Sequence, residues 1–213
     1  MGEKPLSELA PRDAQLGSAV ILKHSGKLVF AVDKPKRWRT EKGRTIVTFS
    51  GIGGAVELDE GFPAAAVREC IEESGAKPEL ESAKRTLFVD YDNSVRDVRV
   101  SDELKPAVIY RRLYLSGAES WQLFCPAYLA RAHSPPRPAD LPALLFLTLS
   151  DFRELKNPTR LRNLLLKGAS HIVEGPGKIP REAYLAPFGL SEALFAIDGS
   201  RAFSLAKLLR NQS

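Results

Sequence analysis

Residues 54–76, GAVELDEGFPAAAVRECIEESGA, decide how this chain is organised. The pair Phe62-Pro63 predicts a helix start, because the missing N–H of proline has no partner to lose in a first turn. The alanine-rich run that follows favours helix, and Gly75 is typical of the residue that ends one. The stretch therefore predicts a loop and a short strand, followed by one helix that ends at Gly75.

Three acidic side chains share one face of this predicted helix: Glu69, Glu72 and Glu73. With about 100° of rotation per residue, Val67, Cys70 and Ile71 fall on the opposite face, which we expect to contact the core. Neighbouring like charges destabilise a helix by a few tenths of a kcal/mol per pair unless a cation neutralises them. Mg²⁺ and Mn²⁺ prefer carboxylate oxygens, so the triad indicates a metal site; the alternative is a merely solvated acidic face.

The spacing of the whole stretch resembles the Nudix box, Gly-x5-Glu-x7-Arg-Glu-U-x-Glu-Glu-x-Gly-U, in which U is a bulky aliphatic residue. All the fixed positions match: Gly54, Glu60, Arg68, Glu69, Glu72, Glu73 and Gly75. Only the U positions depart from the pattern, since Cys70 and Ala76 are smaller than usual, which affects helix packing more than chemistry. The resemblance implies the α+β class, as a Nudix α/β/α sandwich with a mixed β-sheet.

The resemblance also implies an activity. A Nudix-type pyrophosphohydrolase acts on acid anhydrides in phosphorus-containing compounds, and cleaves the pyrophosphate of a nucleoside diphosphate linked to another moiety. Such a site needs cations to offset the diphosphate charge and a base to activate water. By this resemblance Glu69, Glu72 and Glu73 are the ligands of Mg²⁺ or Mn²⁺, while Glu60 and Arg68 join the loop to the helix through a salt bridge.

The general base is left open by the sequence. It is one of the three box glutamates or an acid on a later loop, and the candidates there are Glu119, Asp140 and Glu103. For each of these three, an ordinary surface acid is the favoured alternative. Diadenosine polyphosphate hydrolases of the family tend to have a tyrosine near the place of Tyr91, fifteen residues beyond Ala76. Tyr91 is therefore a candidate substrate contact, with a core aromatic as the alternative.

A cationic loop, residues 33–44, precedes the box and carries six basic residues around Trp38. Beside a diphosphate, Arg39 and its neighbours would hold phosphates, and Trp38 would stack on a base. The alternative is a solvated loop in which Trp38 caps the core. The glycines that follow the next strand, Gly53 and Gly54 among them, permit close approach of the backbone to a ligand.

Composition and charge set outer limits on the chain of 213 residues. Its net charge of +5 and pI near 9.2 suit polyanionic ligands without requiring them. Two cysteines and three scattered histidines give neither a disulfide framework nor a zinc-ligand spacing. The N-terminus lacks the apolar core of a signal peptide, so we expect a cytoplasmic product.

The order of elements predicts three parts. Residues 1–16 are a polar N-terminal arm, residues 17–157 a Nudix domain of hairpin, box helix and later strands, and residues 158–213 a C-terminal helical extension packed on the domain. In the domain, Pro126 argues for an edge strand or a bulge, and Ser150 is the expected cap of a closing helix.

Three functions remain open at this point. The first is the metal-dependent hydrolase, whose partner is a nucleotide-type small molecule, without a membrane and with a homodimer as a further option. The second is a nucleotide-sensing or regulatory protein of the same fold. The third is an RNA 5′-end pyrophosphohydrolase, which is supported only by the net charge and the cationic loop.

Overall fold

The protein is described by a computed structural model that covers residues 2–116, 119–166 and 171–210, with the backbone alone at Ser116 and Glu119. The helices are α1 (Leu6–Leu9), α2 (Phe62–Ser74), α3 (Leu149–Glu154), α4 (Leu161–Leu165), α5 (Leu190–Asp198) and α6 (Leu205–Arg210), with a 3-10 helix at Pro35–Arg37. The first strands are β1 (Gln15–His24), β2 (Lys27–Val32), β3 (Arg39–Glu41), β4 (Arg44–Ser50), β5 (Ile52–Ala55), β6 (Pro78–Glu81) and β7 (Thr86–Val89). The later ones are β8 (Val95–Val98), β9 (Val108–Ser116), β10 (Glu119–Ala132), β11 (Ala143–Leu147), β12 (Thr159–Arg160), β13 (His171–Glu174) and β14 (Tyr184–Pro187).

One mixed sheet joins the fourteen strands of the described residues, and its main path runs β12-β14-β4-β2-β1-β10-β9-β7-β8. Strand β1 lies at the centre, antiparallel to β2 and β5 and parallel to β10. Strands β2 and β5 pair with opposite halves of β1, and the chain between them forms β3 and β4, of which β4 pairs with β2.

Both faces of this sheet are buried. Along β1, Ala19 and Ile21 belong to one apolar cluster while Val20 and Leu22 belong to another, as the two-residue period of a strand requires. Helix α2 packs on the second cluster, and α3 to α6 pack on the first. The predicted α+β class, an α/β/α sandwich with a mixed sheet, is confirmed.

Helix α2 begins and ends where the sequence predicts. Gly75 caps it in the left-handed region, with φ of 61°, which a glycine adopts without a steric penalty. The expected core face is wrong in part, because Ile71 is 42% exposed and the buried positions are Ala65, Ala66, Cys70 and Ser74. These small side chains let the helix approach β1 and β5 closely. The buried face of α2 is therefore rotated toward Glu69 and Glu73, compared with the prediction.

The C-terminal extension, residues 158–213, is not only helical, which corrects that part of the prediction. Strands β12, β13 and β14 lie in it, and β14 runs parallel to β4 while β13 pairs with β11. A segment of only four residues, such as Tyr184–Pro187, gives a weak strand signal in the sequence because its pairing depends on a distant strand. The division into three domains stays a prediction, although the extension shares the sheet.

The N-terminal arm contacts its own chain. Leu6 is 1% exposed, its N–H donates to Asp102 Oδ2 at 2.8 Å, and Lys4 forms a bridge with Val100.

Three local predictions are corrected by the sheet. The glycine loop after β4 is a strand, β5. Pro126 lies within β10, which is neither an edge nor bulged there; pairing with β1 skips positions 125 and 126 instead, because proline has no N–H to donate. The cap of α3 is Thr148, whose hydroxyl accepts from the N–H of Asp151 at 3.1 Å, and not Ser150.

Among the described residues, no helix is both long and apolar enough to cross a membrane.

Phe152 provides a test of the packing on the extension side. Its ring is fully buried and stacks between Phe30 and Phe195, at centroid distances of 5.1 Å and 4.1 Å. We expect Phe152→Ala to lower the free energy of unfolding by about 3–5 kcal/mol, measured by urea denaturation, since a cavity replaces the ring. The control is Leu58→Ala at a side chain that is 94% exposed, which should change it by less than about 0.5 kcal/mol. Equal effects of the two substitutions would contradict the packing described here.

Candidate active site

A cleft of about 860 Å³ lies between β1, β5, α2 and the cationic loop. One end, which we call the charged end, is lined by Asp33, Lys34, Lys36, Arg37, Arg39, Glu69 and Glu73. The other end, which we call the aromatic end, is lined by Tyr110, Tyr114, Trp121, Leu123, Cys125 and Phe188. Backbone of the glycine strand, including Gly53 and Gly54, forms the floor of the charged end.

Glu73 lies at the buried edge of α2. Its Oε2 accepts a hydrogen bond of 3.1 Å from the N–H of Gly53. Burial raises the pKa of Glu73 to about 8, and the neighbouring charges of Glu69, Asp140 and Asp33 act in the same direction. Ionisation of Glu73 is therefore unfavourable in this place unless a cation binds beside it.

Glu69 is the second box glutamate that faces the cleft. Burial raises the pKa of Glu69 although Arg68 opposes that shift with a hydrogen bond of 2.9 Å to Oε1. A Cβ on residue 54 would lie 2.3 Å from Glu69 Oε1, so only glycine leaves room for this carboxylate. Gly54 therefore matters because it has no side chain, and any larger residue at this position would move the Glu69 carboxylate.

Glu72 is placed differently from the other two. Its side chain is 56% exposed, pairs with Arg68 at 3.1 Å and does not line the cleft. Within the described part of the chain, no group of three or more His, Cys, Asp or Glu side chains is arranged to hold a metal ion. The structure thus brings two of the three predicted ligands to the cleft, because the Arg68 guanidinium draws Glu72 to the outer side of the helix.

Arg68 and Glu60 form the predicted salt bridge between loop and helix. The guanidinium donates from Nε and Nη2 to the two carboxylate oxygens, each at 3.0 Å, a forked geometry that fixes both groups. Nη2 also donates to the carbonyl of Ala55 at 2.9 Å. The hydrogen bonds from Arg68 lower the pKa of Glu60. Arg68 therefore connects α2, the loop before it and the end of β5.

The three other predicted substrate contacts have different positions. Arg39 lines the charged end and pairs with Glu41. Trp38 packs against the core and donates from Nε1 to the carbonyl of Asp33 at 2.7 Å, and it does not line the cleft. Tyr91 is 62% exposed on a turn, where its ring lies beside Arg111, and is also outside the cleft lining.

Of the three acids proposed as a base outside the box, Asp140 lies beside a residue of the charged end. Its Oδ2 pairs with Lys34 at 2.6 Å, and its charge raises the pKa of Glu73. Glu103 lies on the far segment that contacts Ser82. The side chain of Glu119 lies outside what the structure describes.

Sequence reasoning missed two parts of the cleft. Asp33 lines it, accepts from Thr48 Oγ1 at 2.6 Å and pairs with Arg37 at 3.1 Å. The sequence feature that could have identified Asp33 as a cleft residue is its position directly after β2, at the start of the cationic loop. Phe188 is contributed by the extension, 112 residues beyond the box, and no local pattern connects the two.

Comparisons with known proteins add the following. Neither a protein-family model nor a curated protein sequence matches the chain. Among solved structures it is similar to a MutT NUDIX hydrolase from Burkholderia pseudomallei, with 22% identity, coverage of 64% of this chain and 84% of that one, and a TM-score of 0.39. A NUDIX-family hydrolase from Clostridium perfringens matches with 15% identity, coverage of 72% and 92%, and a TM-score of 0.41.

A NUDIX hydrolase from Nitrosomonas europaea matches with 15% identity and a TM-score of 0.35, and the match covers 57% of this chain and 60% of that one, less than two thirds of its length. All three are Nudix hydrolases. This is the family that the box resembles, and the layered fold described above is the one that the resemblance implies. At these TM-scores the matches carry no argument about activity, which has to be inferred from the Nudix box and its cleft.

Glu73 predicts a pH dependence of stability in protein free of metal. Its pKa is about 8 when folded against an ordinary value of 4.5, so the folded chain holds the proton more tightly. The stability that this gives is fully present below about pH 4.5 and is lost as the pH rises toward 8. We expect the free energy of unfolding, measured by urea denaturation with EDTA, to fall over this window by roughly 1–3 kcal/mol.

The matched variant is Glu73→Gln, which has no carboxyl group to ionise and should flatten that fall. Glu103→Gln is the control and should leave it unchanged. A Glu73→Gln protein that loses stability as steeply as the parent would show that another group titrates.

Arg68 yields a second prediction. Arg68→Ala removes the guanidinium donor from Glu69 and leaves Glu60 with only the N–H of Glu57, so we expect the free energy of unfolding at neutral pH to fall by about 1–3 kcal/mol. Arg85→Ala, at an exposed pair with Asp97, is the control and should cost less than about 1 kcal/mol. If thermal and urea unfolding do not separate the two variants, Arg68 does not hold the box together.

Proposed function

We propose that this chain is a hydrolase that uses a divalent metal to cleave the pyrophosphate of a nucleoside diphosphate linked to another moiety. One observation carries the proposal: Glu69 and Glu73, both at Nudix box positions, face one cleft together with four cationic side chains and the N–H of Gly53. A diphosphate needs acids that hold a cation and cations that hold its oxygens, and the charged end contains both.

The residues fit Mg²⁺ or Mn²⁺ at this place. Glu69 and Glu73 offer hard carboxylate oxygens, and burial raises the pKa of each carboxyl group, so a bound cation would favour the ionised form of both. When bound, such an ion supplies positive charge that offsets the diphosphate oxygens. Glu72 would join these ligands only by leaving Arg68, which is a rotation of an exposed side chain.

The chain's other residues have separate roles in the proposal. Lys34, Lys36, Arg37 and Arg39 bind the phosphate oxygens and orient them toward Glu69 and Glu73. The Arg68–Glu60 pair acts indirectly, because it fixes the loop that the cleft depends on. For the base we propose Asp140, which pairs with Lys34 of the charged end and would take a proton from the attacking water.

The substrate partner in this proposal is a nucleotide-type small molecule, and the cytoplasmic location expected from the sequence stays a prediction. A regulatory protein of the same fold needs the cleft but not its acids. An RNA 5′-end enzyme needs an extended cationic path beyond it.

The proposal is tested by release of phosphate and nucleotide from a panel with Mg²⁺ or Mn²⁺. The panel contains ADP-ribose, diadenosine polyphosphates, sugar nucleotides, NADH, oxidised nucleoside triphosphates and capped RNA. We expect turnover of at least one compound, and a fall of at least about 100-fold for Glu69→Gln and Glu73→Gln, since each removes a charge-bearing ligand. Glu103→Gln is the matched control and should retain activity within about twofold.

Other outcomes identify the other functions. No turnover with a nucleotide that raises the melting temperature of both the parent and Glu73→Gln would show a sensor. RNA binding whose affinity falls with salt at a slope set by several phosphate contacts would favour the RNA enzyme. Turnover that survives both glutamine substitutions would exclude the proposed site.

A further inference from the structure

The aromatic end of the cleft brings three rings together from distant parts of the chain. The rings of Tyr114 and Trp121 lie 4.3 Å apart between centroids, and those of Tyr114 and Phe188 lie 5.6 Å apart. Trp121 keeps 38% of its surface exposed although it lines the cleft. A partly exposed indole beside two further rings offers flat apolar surface to a ligand.

Phe188 is held firmly at this place. Its N–H contacts the carbonyl of Phe49 at 3.0 Å and Ser191 Oγ at 2.8 Å. The next residue, Gly189, has φ of 58°, and its N–H donates to Glu192 Oε2 at 3.0 Å. Because Gly189 turns the chain from β14 into α5 here, the extension fixes the position of the Phe188 ring.

Arg37 connects the aromatic end with the charged end. Its guanidinium lies 5.9 Å from the centroid of the Phe188 ring and pairs with Asp33, which lines the charged end. A single ligand can therefore place a diphosphate among the cations and a flat ring among the aromatics. The two ends belong to one cavity of about 860 Å³, which is within the usual size of small-molecule sites.

The lining of the aromatic end is uncharged. Leu123 and Cys125 complete it, and burial raises the pKa of the Cys125 thiol to about 12 and that of the Tyr114 phenol to about 12. Both groups are therefore neutral at physiological pH and present no charge that would exclude an apolar ring. Stacking on such surfaces tolerates any base, because every base has a π-face.

We propose that Tyr114, Trp121 and Phe188 form the stacking site for the planar base of the substrate, so that the C-terminal extension supplies part of the active site. The proposal rests on the proposed function for the place of the diphosphate. It deepens that function by naming the residues that hold the base of the nucleoside, so sugar phosphates without a base are poor ligands.

The experiment uses fluorescence, because the chain has only two tryptophans, Trp38 and Trp121. In full-length Trp38→Phe protein all indole emission comes from Trp121. We expect ADP to quench it in a saturable way, and inorganic pyrophosphate, which has no ring, to leave it unchanged. Titrations with and without Mg²⁺ separate ring binding from metal binding.

Phe188 is tested in the same background. Phe188→Leu keeps an apolar side chain of similar bulk and removes the ring, so it should weaken ADP binding by about tenfold, which corresponds to about 1.4 kcal/mol. Phe188→Ala should weaken it at least as much, and Tyr91→Ala, an exposed tyrosine outside the cleft, should have no effect. Circular dichroism confirms that each variant folds, and Phe188→Leu serves alone if the alanine variant does not.

The results separate the two proposals. Quenching that depends on Phe188 supports the stacking site even if no compound of the panel is hydrolysed. Hydrolysis without such quenching, or full ADP affinity in Phe188→Leu, overturns the stacking site and leaves the hydrolase standing. Equal quenching by ADP and pyrophosphate also overturns it, since the ring would then contribute nothing.

Discussion

The close approach of strand β5 to its neighbours is the constraint on which the site depends. A Cβ on Gly53 would lie 2.3 Å from the carbonyl oxygen of Ser18, and one on Gly54 would lie 2.3 Å from Glu69 Oε1. Because Gly53 has no side chain, β5 can pair with β1 at this place, and because Gly54 has none, the Glu69 carboxylate of α2 can lie beside β5. The same closeness lets the Gly53 N–H reach the carboxylate of Glu73.

A network around Arg68 then keeps this arrangement from opening. One guanidinium contacts Glu60, Glu69 and the carbonyl of Ala55, so the loop, the helix and the strand are joined at a single side chain. Like charges on α2 would otherwise repel one another. Glu69 and Glu73 face the cleft, whereas Glu72 pairs with Arg68 outside it. The acidic triad is therefore divided between the cleft and the network.

Sequence reasoning succeeded where the information is local. The start and end of α2, the β1–β2 hairpin and the Arg68–Glu60 pair follow from proline, glycine, period and motif spacing. It failed where long-range pairing decides. Val67 and Ile71 have the right residue types for a core, but the approach of β5 turns the buried stripe toward Ala66, Cys70 and Ser74. Phe188 and β14 could not be placed from the sequence, because β14 takes its position from pairing with the distant strand β4.

The pairing of β14 with β4 also bears on how the chain is made. When residues 44–50 and the box have been synthesised, the outer edge of β4 has unpaired N–H and C=O groups until residues 184–187 follow. On one face of the sheet α3 and α4 come before this point, and the cover is complete only when α5 and α6 follow. Contacts between residues so far apart in sequence form slowly. The unpaired edge of β4 is therefore open to aggregation while more than a hundred further residues are synthesised.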